Sequence, residues 1–239
     1  MPMSSSHGPP LPYRVVAGVV PCRSGWLVAS AKLQGVTIAP EEPRVFSSFI
    51  DVVDEKPAFS VIALYAPIGF LDKARQGGRT CDREARSLLG RRRGATVRSA
   101  PAWPVFGKRR SRHVRRLHVV TAALLPRYAE VAEEIAPYHQ RVVYEVHPEL
   151  SWYQLNKDRP VRHRKGSPAG LRERRKLLRS RLPGVERILD AQLPGVKTEQ
   201  LLDAAACLWT ARRILARAAT RLPTDPEWDS QGLRMEIVR

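Results

Sequence analysis

Lysine is scarce in this sequence: 8 of its 41 basic residues are Lys, and the remainder are Arg. Acidic residues are also few, 23 against those 41, which leaves a formal net charge of +18 and a pI near 10.8. A polyanionic partner, most simply nucleic acid, is one reading of that excess. The arginine bias of a GC-rich genome is the other, and composition alone leaves both open. Cysteine is nearly absent. Cys22, Cys81 and Cys207 are widely separated and form no CxxC, which argues against a zinc cluster and for a reducing, cytoplasmic setting. No run approaches the roughly 18 apolar residues that span a bilayer, so no membrane partner is expected. Gly77-Gly78-Arg79-Thr80 lacks the spacing and the Lys of a phosphate-binding P-loop, and there is no Gly-x-Ser-x-Gly.

The chain has 239 residues, 43% of them hydrophobic, ample for a core. Residues 1–12 are rich in Ser and Pro and read as a flexible tail. They lack the charged start and apolar centre of a signal peptide. Residues 13–239 read as one domain. Tyr13–Val20, Trp26–Leu33 and Gly35–Ala39 are expected to form an antiparallel meander, because their connections are too short for parallel crossovers. Arg44–Val53 has helical spacing, and Phe59–Leu64 reads as a central strand. A helix is expected over Asp82–Leu89, ended by Gly90. Two more are expected over Leu117–Leu125 and Arg127–Ala136, broken near Pro126. Further helices are expected over Leu150–Leu155, Ala169–Arg181, Val185–Leu193 and Thr198–Ala219, the last capped by Thr198. Leu222–Arg239 reads as irregular until Leu233–Val238. Strands and helices in this order make a mixed α/β sheet with helices on its faces.

The densest chemistry lies in Val142–Trp152. A β-branched run stops at Pro148, which cannot donate to a sheet ladder. Period two puts Glu145 and His147 on the side opposite Tyr144 and Val146. Three ionisable groups, Glu145, His147 and Glu149, fall within five positions of the strand's end. A half-buried strand with a polar face followed by a helix start explains the same pattern. Farther on, Glu199 and Asp203 are one helical turn apart on one face, where two carboxylates repel unless a cation is near.

Several segments together resemble one family: Val16–Trp26, Ala63–Gly69, Cys81–Arg86, Tyr144–Glu149, Leu202–Ala205 with Trp209–Arg212, and Gly232–Ile237. They are similar to a family of unknown function described as predicted ribonuclease H-like nucleases, and the match covers nearly everything after Leu11. The resemblance implies a ribonuclease H-like mixed sheet with helices on both faces. It also implies acidic side chains that hold Mg²⁺ or Mn²⁺, which activates water and stabilises the transition state. By position, Glu145, Glu149 and Asp203 would be catalytic, and Glu145, Asp203 and Glu199 would hold the metal. Two positions depart from the family motif, which usually has Asp-Gly at Val20-Pro21 and Asp at Tyr65. Valine has no donor atom, and a phenol with a pKa near 10 does not ligate a hard cation at neutral pH.

Arg91, Arg92 and Arg93, then Lys108, Arg109, Arg110 and Arg112, and then Arg162, Arg164 and Lys165 form basic clusters in expected loops. Arginine forks match phosphate oxygens in pairs. If the clusters share a face, they make a phosphate-tracking groove, where Trp103, Phe106, Trp152 and Tyr153 could stack bases. Three readings follow. The first is a ribonuclease H-like protein with a degenerate metal site that binds nucleic acid without cutting. The second is an active Mg²⁺- or Mn²⁺-dependent nuclease using Glu145, Glu149 and Asp203. The third is a non-enzymatic protein-interaction domain whose charge reflects codon use.

Overall fold

A computed structural model describes residues 12–107, 114–115 and 117–239. The expected tail, Pro12 apart, and Lys108, Arg109, Arg110 and Arg112 of the second basic cluster lie outside the described residues.

The valine-rich run that starts the domain becomes β1 (Arg14–Cys22), buried along all but its first residue. A strand apolar on both faces belongs in the middle of a sheet, and β1 sits there. On one side it pairs antiparallel with β2 (Gly25–Gln34), which carries β3 (Thr37–Pro40) and β4 (Arg44–Phe46). On the other side it pairs parallel with β5 (Phe59–Leu64), which pairs parallel with β6 (Val143–Glu145). The result is a six-stranded mixed sheet, ordered β3-β2-β1-β5-β6 with β4 also on β2. The fold is α/β, and the expected meander and central strand are present.

Helices cover both faces. On one face α1 (Phe49–Val53) and α3 (Val119–Glu134) bury Phe49, Val52, Tyr128 and Val131 against Val15, Ala17, Val19 and Leu64. On the other, α4 (Pro148–Leu155), α5 (Pro168–Arg179), α6 (Glu186–Leu189) and α7 (Thr198–Leu215) bury Trp152, Leu178, Ile188 and Leu202 against Val16, Val20 and Ala63. α7 lies directly on β1 at Gly18, where a methyl group would collide with the backbone of Ala204 and Leu208. A third cluster joins α2 (Thr80–Gly94) to α4 and to β8 (Arg234–Val238). No helix among the described residues is long and apolar enough to cross a membrane.

Several local expectations are corrected. Arg44–Val53 is not one helix. Arg44–Phe46 pairs with Trp26–Val28, and the helix starts only after Ser48, whose hydroxyl accepts from the Asp51 N–H while the Asp51 carboxylate accepts from the Ser48 N–H. Pro126 does not break its helix. α3 runs through it, because burial of Thr121, Tyr128 and Val131 on one face outweighs one lost backbone bond at an exposed position. The cap of α7 is Lys197 rather than Thr198, and the Gln200 side chain accepts from the Lys197 N–H at 3.0 Å. The carboxy-terminal stretch is a hairpin, β7 (Arg221–Trp228) with β8. Its two prolines, 223 and 226, fall where the ladder is irregular between Leu222 and Glu227, so neither is asked for a ladder N–H.

Candidate functional site

In parallel sheets, ligands bind beyond the carboxyl ends of the strands. Here β1, β5 and β6 end together. The Tyr65 N–H donates to Val19 O and the Val146 N–H to Leu64 O, both at 2.8 Å. Val20 and Tyr65 therefore stand side by side, facing α7. The contact at Gly18 brings Asp203, next to Ala204, to the same end. Pro148 starts α4 with Glu149 in its first turn, and the His147 side chain caps that turn, Nδ1 accepting from the Glu149 N–H at 3.2 Å. Tyr65, His147, Glu149 and Asp203 all line one open cleft of about 480 Å³.

The rest of that lining is basic. α2 bends at Gly90, which takes φ 70° and ψ 172°, and the turn beyond it aims Arg92 and Arg93 into the cleft. The loop before α5 supplies Arg164 and Lys165. Glu173 holds that loop by accepting from the Arg162 and His163 N–H groups at 2.8 and 2.9 Å. Arg93 fastens it from the other side, donating to Val161 O at 2.7 and 3.0 Å and to His163 O at 2.5 Å. Two of the three expected basic clusters thus meet on one surface. Arg91 and Arg162 are exposed beside it.

Asp203, Glu149 and Glu145 each already have a cation from the chain. Asp203, 4% exposed, pairs through Oδ2 with Lys165 Nζ, and its Oδ1 accepts from Trp152 Nε1 at 3.3 Å. Glu149, 7% exposed, pairs with Arg174 at 3.3 Å, and Arg174 lies over the Trp152 ring. Glu145 projects to the opposite face of the sheet, where Arg79 grips both its oxygens at 2.6 and 2.8 Å and also binds Asp82 at 2.8 Å. The Ile68 N–H adds a bond at 2.7 Å. Burial pushes the Glu145 carboxyl up, and the Arg79 guanidinium opposes that shift.

The fold therefore does not bring together the acids expected to share a metal. Glu145 and Asp203 lie on opposite faces of the sheet, because period two turns Glu145 away from Tyr144 and Val146, which pack toward α7. Glu199 is in the first turn of α7, with Oε1 beside Gly166 and outside the cleft lining. Asp51 caps α1, and Asp72 accepts from Ser230 Oγ at 2.7 Å, so neither stands beside Val20 or Tyr65, where acids were expected from the resemblance. Burial, then Tyr128 and Asp203, pushes the Tyr65 phenol up, away from the phenolate that a metal would need. Among the described residues no group of three or more His, Cys, Asp or Glu could hold a metal ion. The donors at the strand ends do not fit a hard divalent cation.

His147 stays neutral at physiological pH. Burial, then the Lys165 charge, pushes its pKa down to about 4. With Nδ1 accepting, its proton is on Nε2. Its ring meets Tyr65 edge-on at 5.0 Å. Of the aromatics expected to stack bases, Trp152 is core, and Trp103 and Phe106 pack on Phe70 at 5.2 and 5.1 Å. The sequence did not reveal Arg79 and Arg174 as the two cations that neutralise Glu145 and Glu149. Arg79 sits three residues before Asp82, just outside the Cys81–Arg86 segment that carried the resemblance, and that spacing is the one sequence signal for it. Tyr128, buried beside Glu145, was missed for want of any.

Searches of curated proteins and of solved structures each returned no match to this chain. A family model described as "Protein of unknown function (DUF429)" matches residues 18–228, and the chain belongs to that family.

Proposed function

We propose that this protein is a ribonuclease H-like member of its family that binds nucleic acid through the cleft and does not cut it by metal catalysis. The observation that carries this is the pairing of the cleft acids. Asp203 and Glu149 are neutralised by Lys165 and Arg174, where a nuclease of this kind would present them to a divalent ion. Val20 and Tyr65 add no donor. Arg92, Arg93 and Arg164 line the same cleft with no carboxylate partner among the described residues. A site so arranged attracts anions and repels divalent cations, and arginine suits phosphate oxygens.

The test has two arms. Single- and double-stranded DNA and RNA are incubated with the protein and Mg²⁺ or Mn²⁺, alongside Asp203→Ala and a Val20→Asp/Tyr65→Asp double variant. The same strands are titrated at several salt concentrations. The expected result is no metal-dependent cleavage by the native chain, with binding that weakens as salt rises. Cleavage that EDTA stops and Asp203→Ala abolishes would overturn the non-cutting half and favour the nuclease that uses the remaining acids. Absence of salt-sensitive binding would overturn the nucleic-acid half and leave a protein-interaction domain.

A further inference from the structure

Tyr65, Thr96 and His147 are walls of two cavities. One is the basic cleft. The other is a partly open chamber of about 230 Å³, lined also by residues 97–100, by Thr121, Leu124 and Tyr128 of α3, and at its floor by the ion-paired Arg79, Asp82 and Glu145. An apolar cavity of about 150 Å³ accepts benzene, and pockets for drug-sized ligands start near about 300 Å³. The chamber is therefore sized for one planar heterocycle. The hydroxyls of Tyr65 and Tyr128 have no hydrogen-bond partner among the described residues, although Tyr128 is only 8% exposed. Neither oxygen is among the fully buried unpaired polar atoms, so both reach accessible space, and both residues line the chamber, where their hydroxyls can bond the polar edge of a ligand.

The cleft side carries a matching oddity. Arg93 is 7% exposed, yet only the Val161 and His163 carbonyls accept from it, and it has no counter-ion among the described residues. Burial lowers its pKa; the Glu149 charge, beyond ion-pair distance, opposes that shift, and Arg174 and Arg92 add to it. A buried charge without a counter-ion is unfavourable unless an anion arrives. An anion subsite and an aromatic slot thus share a wall.

We propose that cleft and chamber together hold one nucleotide, its phosphate on Arg92, Arg93, Arg164 and Lys165 and its base in the chamber between Tyr65 and Tyr128. This deepens the nucleic-acid reading and rests on it where the nucleotide belongs to a strand. A free nucleoside monophosphate offers the same chemistry. In a strand, the base must leave its stack to enter the chamber, so a single-stranded end is favoured over the interior of a duplex.

Calorimetric titration of the full chain tests this. The ligands are AMP, UMP, inorganic phosphate, a 5′-phosphorylated linear single strand and a circular single strand of the same composition. Variants are Tyr128→Phe, which keeps the ring, and Arg92→Gln/Arg164→Gln, both exposed; thermal melting confirms that each folds. The expected result is a nucleotide bound at least about tenfold tighter than phosphate. Tyr128→Phe should weaken the nucleotide about fivefold and leave phosphate unchanged. The arginine double variant should weaken both. Competition with AMP by the linear but not the circular strand assigns the ligand to a strand end, and competition by neither assigns it to the free nucleotide. AMP bound no tighter than phosphate, or untouched by Tyr128→Phe, overturns the proposal. If strands still bind with salt dependence in that case, the nucleic-acid reading survives without it; AMP binding with no strand binding is the reverse.

Discussion

At the scale of residues, the site is organised by cations that answer buried acids. Arg79 is 1% exposed and serves Glu145, Asp82 and the Ile68 and Gly69 carbonyls at once. Removing it strands two buried carboxylates, so Arg79→Met should lower stability by about 3–5 kcal/mol in urea unfolding. Arg79→Met combined with Glu145→Gln should recover part of that loss. A drop below about 1 kcal/mol in the single variant would show that Glu145 takes up a proton instead. His147 gives a pH signature. Its pKa is lowered from 6.5 to about 4 in the folded state. The unfolded chain therefore binds more protons between those values, and stability must fall as pH drops from about 6.5 to about 4. The full contribution is at most about 3 kcal/mol. His147→Asn keeps a side-chain cap for α4 and should flatten that part of the pH profile. An unchanged profile would locate the titration elsewhere.

At the scale of elements, α7 sets the depth of the cleft, and Gly18 sets α7. Nothing larger than hydrogen fits between β1 and the backbone of Ala204 and Leu208. Gly18→Ala should destabilise by about 2 kcal/mol or more, since neither partner is a flexible side-chain end. It should also weaken binding in the cleft by displacing Asp203 and with it Lys165. Full stability in that variant would mean that α7 slides along the strand at little cost. Gly18 lay inside a segment that carried the family resemblance, yet its sequence context said only "strand". The close approach of a helix 186 residues later is not a local property, which is why local reading could not find it. The same holds for the kink at Gly90. It was read as a helix end, and it does end the first helix, but the turn beyond it aims Arg93 inward.

At the scale of the whole molecule, the charge excess has at least one defined place, where the end of α2 and the loop before α5 converge. Net charge alone could not distinguish a binding surface from codon bias. Convergence of Arg92, Arg93, Arg164 and Lys165 on one cleft is the feature on which the proposed binding rests. If those side chains meet phosphates, the slope of log K against log salt for a single strand should become shallower by about 1.4 in Arg92→Gln/Arg164→Gln, two contacts at about 0.7 each. A uniform loss of affinity with no change in slope would mean that the pair acts on the fold rather than on phosphate.

Sequence by itself determined the class of fold, because hydrophobic periodicity and short connections are local. The meander, the central strand and the helix that follows Pro148 could all be read from it. It also singled out Glu145, Glu149, Asp203 and the arginine clusters, two of which the structure brings to one cleft. Only the tertiary structure decided what they do to one another. Whether a buried acid meets a metal or an internal cation depends on partners far away in the chain: 66 residues separate Glu145 from Arg79, 25 separate Glu149 from Arg174, and 38 separate Asp203 from Lys165. Those distances are closed by the sheet and by helix packing, and no periodicity in the sequence records them.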